Sequence, residues 1–235
     1  MKQGILYGVG IGPGDPELLT LKAVRVLQEC PVIACPQTER EKSLARDIVK
    51  SAVPIEGKRI LYLPFSMRGN REAREKAHRE TAGLILSELR AGQDVAMITL
   101  GDVTLYSTYG HLEPFVRESG CETRMIPGVP SFCAVAARLG RSLTEGCQQL
   151  HVLPVGHAGW EDGLSQPGAK VLMKAGKDLQ GLAEILRERG LLGQAALIQN
   201  CGLSDEVICR DLTGELPKTG YFTTVVIPEE KGNKR

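Results

Sequence analysis

Short apolar runs alternate along this chain with longer segments of helical period, and this alternation constrains the fold more than any other feature. The runs are rich in Val, Ile and Leu, and they are too short and too evenly apolar to be surface helices. Such alternation is typical of β-α-β units around a parallel sheet. In the first half it predicts strands over residues 4–10, 31–35, 59–63, 94–100 and 122–126. It predicts helices over residues 16–29, 43–50, 71–90 and 111–118.

The stretch Pro127-Gly128-Val129-Pro130 breaks any continuing helix or strand, and we place a domain boundary there. The predicted α/β domains are residues 1–127 and 128–235. The second should begin with an alanine-rich helix over 131–139 and contain another helix over 179–188. Its predicted strands cover residues 149–155, 169–174, 195–199, 207–211 and 222–227. Two of these strands are close enough in sequence to form a hairpin, so we expect a mixed sheet.

The composition excludes several classes of protein. With 42% hydrophobic and 24% charged residues, the chain resembles a globular protein. Its 29 basic and 28 acidic residues leave no basic excess for binding a phosphate backbone. Aromatic residues, which stack on the bases of single strands, are only 4%. Nucleic acid is therefore disfavoured as a partner. No window offers the ~20 apolar residues of a membrane span, and the start lacks a signal-peptide core, so we expect a cytoplasmic protein with no membrane partner.

Cysteine and histidine spacing gives no sign of a metal centre. The seven cysteines are odd in number and include no C-x-x-C pair, which makes a disulfide framework or structural zinc unexpected. The four histidines show neither H-x-x-x-H nor H-E-x-x-H spacing. We therefore expect no bound metal.

A glycine-rich segment, Gly8-Val9-Gly10-Ile11-Gly12-Pro13-Gly14-Asp15-Pro16, joins the first predicted strand to the first predicted helix. Glycines let backbone N–H groups approach a ligand, and the following helix offers unpaired amides. The dinucleotide fingerprint G-x-G-x-x-G fails, because the sixth position is Pro13 from Gly8 and Asp15 from Gly10. A loop stiffened by Pro13 suits an uncharged nucleoside better than a pyrophosphate. A purely structural turn is the alternative.

Two further loops follow predicted strands. The segment Thr99-Leu100-Gly101-Asp102-Val103-Thr104-Leu105-Tyr106-Ser107 lies at the carboxyl end of the fourth strand, the edge where ligands bind in open α/β sheets. Asp102 could accept hydrogen bonds from a ligand amine or from local backbone, or it could cap a helix. The segment from Pro127 to Ser131 follows the fifth strand, and Ser131 could cap the next helix. A simple linker is the alternative there.

Together these segments resemble the tetrapyrrole methylase family over the whole chain. The run from Gly8 to Asp15, followed by Pro16-Glu17-Leu18-Leu19-Thr20-Leu21-Lys22-Ala23, is similar to the family's opening motif. Gly101-Asp102 and Pro127-Gly128 with Ser131 are similar to its second and third motifs. Within the family, five stretches resemble the members that methylate carbon 20 of precorrin-2 or cobalt-factor II: 43–45, 64–67, 100–108, 171–174 and 221–224. Val103 replaces the proline common after Gly-Asp, a departure we associate with this subgroup.

The resemblance implies two α/β domains, a mostly parallel sheet followed by a mixed one, with the ligand in a cleft between them and a homodimeric assembly. It implies S-adenosylmethionine as methyl donor. Carried over residue by residue, the implied cofactor-binding residues are Pro13, Leu100, Gly101, Asp102, Leu105, Tyr106, Ser131, Phe132, Met173, Asn200, Cys201, Thr223 and Thr224.

The implied reaction asks little of side chains, because carbon 20 attacks the sulfonium methyl directly and catalysis is mainly alignment. Tyr7, Asp102, Tyr106 or His151 could accept the released proton, and we assign none of them as catalytic. Arg40, Arg46, Arg68 and Lys174 are candidates for holding substrate carboxylates. The alternatives are another ring position, a diphthine synthase or a ribosomal RNA ribose methyltransferase. From other classes, a nucleotide-dependent oxidoreductase and a non-catalytic binding module are opposed by the failed fingerprint and by the three glycine loops.

Overall fold

A computed structural model describes residues 2–37, 44–67 and 69–229 of the 235-residue chain. The chain divides into two compact units, Met1–Pro130 and Ser131–Arg235. The boundary predicted between residues 127 and 128 lies three residues before this division and stays a prediction. Among the described residues, no helix combines the length and the apolar character that crossing a membrane requires.

The first unit is built on a parallel sheet of five strands in its described part, in the order β3-β2-β4-β1-β5. The strands are β1 (Leu6–Gly10), β2 (Val32–Gln37), β3 (Arg59–Pro64), β4 (Val95–Thr99) and β5 (Thr123–Ile126). The helices are α1 (Leu21–Glu29), α2 (Leu44–Ala52), α3 (Arg71–Arg90) and α4 (Tyr109–Glu118). Residue 43, the predicted start of the second helix, lies outside the described residues. The predicted parallel sheet is confirmed.

The core of the first unit lies where α3 and α4 cover one face of its sheet. Ile85 and Leu89 of α3 and Leu112 of α4 pack with Leu6 and Met97 of the central strands, and all five side chains are fully buried. Each such side chain contributes about 1.5–3 kcal/mol relative to exposure. This packing fixes the central strands β1 and β4, from whose ends the glycine loops emerge.

The predicted helix over residues 16–29 is wrong at its start. Pro16–Leu18 forms a separate short 3-10 helix, whose preceding Asp15 accepts a hydrogen bond from the Glu17 amide. The chain is extended at Leu19 and Thr20, and α1 begins only at Leu21. The Thr20 side chain accepts from the Ala23 amide, so a second N-cap restarts the helix. Apolar residues recur at helical spacing on both sides of this break, so the periodicity gives no sign of it.

The second unit contains a mixed sheet in the order β6-β7-β10-β8-β9. Its strands are β6 (Leu150–Pro154), β7 (Ala169–Met173), β8 (Ala196–Gln199), β9 (Val207–Cys209) and β10 (Thr223–Ile227). Its helices are α5 (Ser131–Leu139), α6 (Trp160–Leu164) and α7 (Leu179–Glu188). The β6–β7 pair is parallel and the remaining pairs are antiparallel, so the predicted mixed sheet and the β8–β9 hairpin are confirmed.

The structure differs from the sequence-based predictions at the start of α5 and at α6. Ser131 is the first residue of α5 rather than the residue before it, so its predicted place as cap is wrong by one position. The sequence also missed α6, because five residues following Gly159 in the left-handed region carry no readable helical period. The core of this unit is centred on Leu172, Leu186 and Val225, all fully buried.

Candidate active site

Three loops meet at one edge of the first sheet. The strands β4, β1 and β5 are neighbours and run parallel, so their carboxyl ends lie side by side. The loops that follow them, residues 11–15, 100–107 and 127–130, are here called the loop junction. The Gly12 N–H donates to the Gly101 carbonyl at 3.2 Å, and the Gly101 N–H donates to the Gly12 carbonyl at 2.7 Å. The three sequence motifs therefore form one structure at the edge where ligands bind in open α/β sheets.

Glycine is required where these loops touch. A Cβ on Gly128 would lie 2.3 Å from the carbonyl oxygen of Gly101 and 2.7 Å from the carbonyl carbon of Gly10. A Cβ on Gly10 would lie 2.7 Å from the Gly128 nitrogen. These neighbours are backbone atoms, which cannot rotate away as a side chain could. The glycines of all three motifs thus allow direct contact between the backbones of the three loops.

Asp102 joins the loop junction through both oxygens of its carboxylate. Oδ1 accepts hydrogen bonds from the hydroxyl of Thr104 and from its N–H at 2.8 Å, and Oδ2 accepts from the Gly128 N–H at 2.8 Å. Burial raises the pKa of this carboxyl, but the hydrogen bonds from Thr104 and Gly128 outweigh burial and hold the pKa below its ordinary value. Among the roles predicted for Asp102, acceptance from local backbone is observed. The helix-cap alternative is wrong, because Thr108 precedes α4.

Tyr106 stands out in the loop junction because its backbone is strained. Its φ of 51° lies in the left-handed region, and its side chain is 50% exposed. Such a conformation costs on the order of 1 kcal/mol or more for a bulky residue and is typical of ligand-binding loops. The other predicted residues of the first unit lie in the same loop junction: Pro13, Leu100 and Leu105 are half-buried, and Gly101 and Asp102 are buried.

In the second unit five of the seven predicted residues also lie at one edge of the sheet: Met173, Asn200, Cys201, Thr223 and Thr224. Strands β7 and β8 are both antiparallel to β10, so they end where β10 begins. Met173 pairs with Thr224, and Gln199 pairs with Thr223. Asn200 and Cys201 follow β8 directly. We call residues 173–176, 199–206 and 219–224 the second-unit edge.

The second-unit edge contains two more strained residues. Lys174 and Asn200 have φ values of 60° and 53°, each one residue after the end of a strand. Together with Tyr106 they are the non-glycine residues of positive φ among the described residues. All three therefore lie beside or within the segments to which the sequence assigned cofactor binding.

Thr223 is held by the protein itself. Its side chain is 1% exposed, and its hydroxyl donates to the Gly220 carbonyl at 2.7 Å. The Gly220 N–H in turn donates to the side-chain oxygen of Gln199. A Cβ on Gly176 would lie 1.9 Å from the Gly220 oxygen, so this part of the second-unit edge is another close backbone contact. Thr223 is therefore a buried residue whose hydroxyl already has a partner within the protein.

Several other residues considered from the sequence are placed differently. Ser131 and Phe132 begin α5, which packs on β10, and the Phe132 side chain is 7% exposed. Tyr7 and His151 lie near the amino ends of β1 and β6, away from the carboxyl ends of these strands. The Arg46 guanidinium bonds Asp47 and the Tyr62 hydroxyl. Arg40 and Arg68 lie outside the described residues.

Sequence reasoning missed the residues that support these loops. Thr104 orders Asp102, Gln199 orders Gly220, and Glu206 accepts from the Gly202 N–H at 3.0 Å. Thr104, two residues after Asp102, had a readable signal, since an Asp side chain commonly accepts from the amide two residues on. The contacts of Gln199 and Glu206 had no readable signal in the sequence, because polar residues at the ends of short strands are usually solvated.

Comparison with known proteins decides the family. A family model described as Tetrapyrrole (Corrin/Porphyrin) Methylases matches residues 5–217. The chain belongs to the tetrapyrrole methylase family. The family and the α/β fold class that the motifs predict are thereby confirmed.

Individual tetrapyrrole methylases resemble the chain along most of its length. The cobalt-precorrin-2 C(20)-methyltransferase of Salmonella typhimurium is 30% identical over 97% of each chain. The cobalamin biosynthesis protein CobIJ of Mycobacterium tuberculosis is 31% identical over 96% of this chain, which spans 46% of that protein's length. The structure of uroporphyrin-III C-methyl transferase from Thermus thermophilus complexed with S-adenyl homocysteine superposes with a TM-score of 0.69, at 24% identity, over 95% of this chain and 97% of that one.

Proposed function

We propose that the protein is an S-adenosylmethionine-dependent methyltransferase that methylates carbon 20 of cobalt-factor II or precorrin-2 in cobalamin biosynthesis. The observation that supports this most is the loop junction, in which all three family motifs meet through backbone contacts that only glycine permits. The Salmonella relative supports the ring position, since its similarity extends over nearly the whole of both chains. The expected cytoplasmic location stays a prediction.

The residues at both loop clusters suit a nucleoside-type cosubstrate. In the first unit the proposed contacts are Pro13, Leu100, Gly101, Asp102, Leu105 and Tyr106. In the second they are Ser131, Phe132, Met173, Asn200, Cys201, Thr223 and Thr224. Because the carboxylate oxygens of Asp102 are used within the loops, we propose that it acts by fixing the loops and through its own backbone. Backbone N–H and carbonyl groups held by tight turns suit the polar edge of an adenine and a ribose.

The cosubstrate would supply an electrophilic methyl group on a sulfonium. The substrate carbon forms the new bond to that methyl while the carbon–sulfur bond breaks, and the carbon then loses its proton. The chain's residues contribute by binding and orienting the two reactants. Fixing reactants in attack geometry supplies about 7–11 kcal/mol of a barrier. The glycine contacts and the strained Tyr106 in the first unit, and the strained Lys174 and Asn200 in the second, each fit loops that are preorganised for binding.

An anaerobic assay tests the proposal. The protein is incubated with S-adenosylmethionine bearing a ¹³C methyl group, with cobalt-factor II and metal-free precorrin-2 offered in parallel. We expect a new methyl signal at carbon 20 with at least one substrate, and the preferred substrate identifies the pathway branch. Binding of S-adenosylhomocysteine without methylation of either tetrapyrrole would reject the proposed substrate. It would still support S-adenosylmethionine as the cosubstrate.

Methylation at another ring position is the second candidate. It is favoured by the fold, which is shared with a uroporphyrin-III C-methyl transferase. The same NMR experiment separates the two, because the position of the labelled carbon is read directly when uroporphyrinogen III is added as a third substrate.

We also propose a homodimer, as the family resemblance implies. Light scattering on the eluting peak of a size-exclusion column measures the mass. A mass of twice that of the chain supports the dimer, and the mass of a single chain across a wide concentration range rejects it.

A further inference from the structure

The segment from Asn200 to Glu206, between β8 and β9, is shaped by hydrogen bonds at both ends. The Asn200 N–H donates to the Phe222 carbonyl at 3.0 Å, and the Leu203 N–H donates back to the Asn200 carbonyl at 2.9 Å. The Asn200 side-chain amide donates to Asp205 Oδ2 at 2.7 Å. These bonds hold Asn200 in the left-handed region, where a non-glycine residue is disfavoured.

Glu206 connects this segment to α5. Its Oε2 accepts from the Gly202 N–H at 3.0 Å, and its Oε1 accepts from Nε of Arg138 at 2.8 Å. Burial raises the pKa of this carboxyl, but the Gly202 amide, Arg138 and the Cys201 thiol beside it hold the pKa below its ordinary value. The Glu206 side chain is 12% exposed, whereas that of Arg138 is 61% exposed. One nearly buried carboxylate therefore contacts the two residues that follow Asn200.

The Glu206 carboxylate has more hydrogen-bond partners than a surface ion pair requires. An exposed Arg–Glu pair contributes little to stability and needs no further partner. Here the same carboxylate also accepts a backbone amide from the segment that carries two of the proposed cosubstrate residues. Charge-assisted hydrogen bonds to backbone N–H groups are among the stronger ones in proteins. The positions of Asn200 and Cys201 therefore depend on hydrogen bonds that the charged Glu206 carboxylate accepts.

We propose that Glu206, supported by Arg138, is a positioning residue that holds Asn200 and Cys201 in the conformation that binds S-adenosylmethionine. This inference rests on the proposed function. Glu206 itself touches neither reactant in this proposal. Its loss changes the affinity for the cosubstrate while leaving the affinity for the tetrapyrrole unchanged.

The test uses the full chain and S-adenosylhomocysteine as the probe, with the dissociation constant measured by calorimetry. We expect Glu206→Gln to weaken binding about tenfold, since one charge-assisted network is lost. Arg138→Gln leaves the carboxylate in place, so we expect a smaller loss of about threefold. Glu161→Gln is the matched control, because Glu161 pairs with Arg189 at 3.3 Å in the same unit outside the second-unit edge. We expect less than a twofold change there.

Steady-state kinetics separates positioning from a general structural role. We expect Glu206→Gln to raise KM for S-adenosylmethionine and to leave KM for the tetrapyrrole unchanged. An equal rise in KM for S-adenosylmethionine and in KM for the tetrapyrrole overturns the inference. Wild-type affinity for S-adenosylhomocysteine in both Glu206→Gln and Arg138→Gln also overturns it. If Glu206→Gln does not fold, Arg138→Gln decides in the same way. Failure of the wild-type chain to bind S-adenosylhomocysteine rejects the proposed function, and the inference falls with it.

Discussion

At the scale of single residues, Gly128 is a position in the loop junction with no room for a side chain. We expect Gly128→Ala to abolish binding of S-adenosylhomocysteine and to lower the free energy of unfolding by about 1–3 kcal/mol, because the new Cβ would lie 2.3 Å from the Gly101 oxygen. Urea unfolding and calorimetry measure the two effects.

Gly83→Ala provides the matched control for this change. Gly83 lies inside α3, and a Cβ added there would have no neighbour within 4 Å outside its own helix backbone. The same substitution should therefore stabilise the helix by about 0.5–1 kcal/mol and leave binding intact. Normal ligand binding by Gly128→Ala would show that the glycine contacts are not needed for the site.

Asp102 gives a prediction about pH. Its pKa in the folded protein lies below the ordinary value of 3.8, so its carboxylate stabilises the fold at every pH above that value. The contribution is lost as the pH falls from 3.8 toward the folded pKa. We expect Asp102→Asn to lower the free energy of unfolding by about 1–3 kcal/mol at pH 7, with the difference from wild type shrinking below pH ~4.

Unfolding curves for both proteins at several pH values between about 3 and 7 measure this difference. Asp162→Asn, at an exposed position in α6, serves as the control and should show little change at any pH. A difference for Asp102→Asn that stays constant down to about pH 3 would show that the charge is not the source of the stability.

Residue roles were only partly readable from the sequence. The glycine motifs predicted where a ligand loop would form, because glycine spacing after a strand is a local signal. The partner of Asp102 was not readable, since Gly128 lies 26 residues later and the two meet only when β4 and β5 take places on either side of β1. Asn200 likewise followed only from the family resemblance, which gives no sign of its left-handed backbone conformation.

At the scale of elements, Thr20 determines where α1 begins. Its Oγ1 accepts from the Ala23 N–H at 3.1 Å, and its hydroxyl donates to the Pro127 carbonyl at 3.4 Å. We expect Thr20→Ala to cost about 1 kcal/mol of unfolding free energy, the usual value of an N-cap. Thr20→Ser keeps the oxygen and should recover most of this stability in the same urea unfolding experiment. Equal losses in both variants would assign the effect to the methyl group rather than to the cap.

The break before α1 also shows why element boundaries were less predictable than element types. Apolar residues recur at helical spacing through Leu18, Leu19 and Ala23, and this periodicity predicted one helix. Two side-chain caps, from Asp15 and Thr20, divide it. Capping depends on which of several polar residues finds an amide, and periodicity does not contain that information.

At the scale of the whole molecule, periodicity predicted two α/β units with different sheets but not the order of their strands. The order β3-β2-β4-β1-β5 places the earliest strand between two of the latest, and this arrangement brings the first, second and third motifs together. Only the resemblance to a family implied that these distant loops would act together. The three-motif site is therefore a property of topology that single segments do not encode.

Binding of the cosubstrate should stabilise the molecule measurably. A ligand present at about 100 times its dissociation constant adds about 2.7 kcal/mol, which corresponds to a rise in Tm of about 5–10 °C for a chain of this size. We expect S-adenosylhomocysteine to produce this rise in a thermal unfolding experiment and NAD at equal concentration to produce none, because the first glycine loop lacks the dinucleotide spacing. Gly128→Ala should lose the rise while Gly83→Ala keeps it. Stabilisation by NAD alone would instead support the oxidoreductase interpretation and reject the proposed methyl donor.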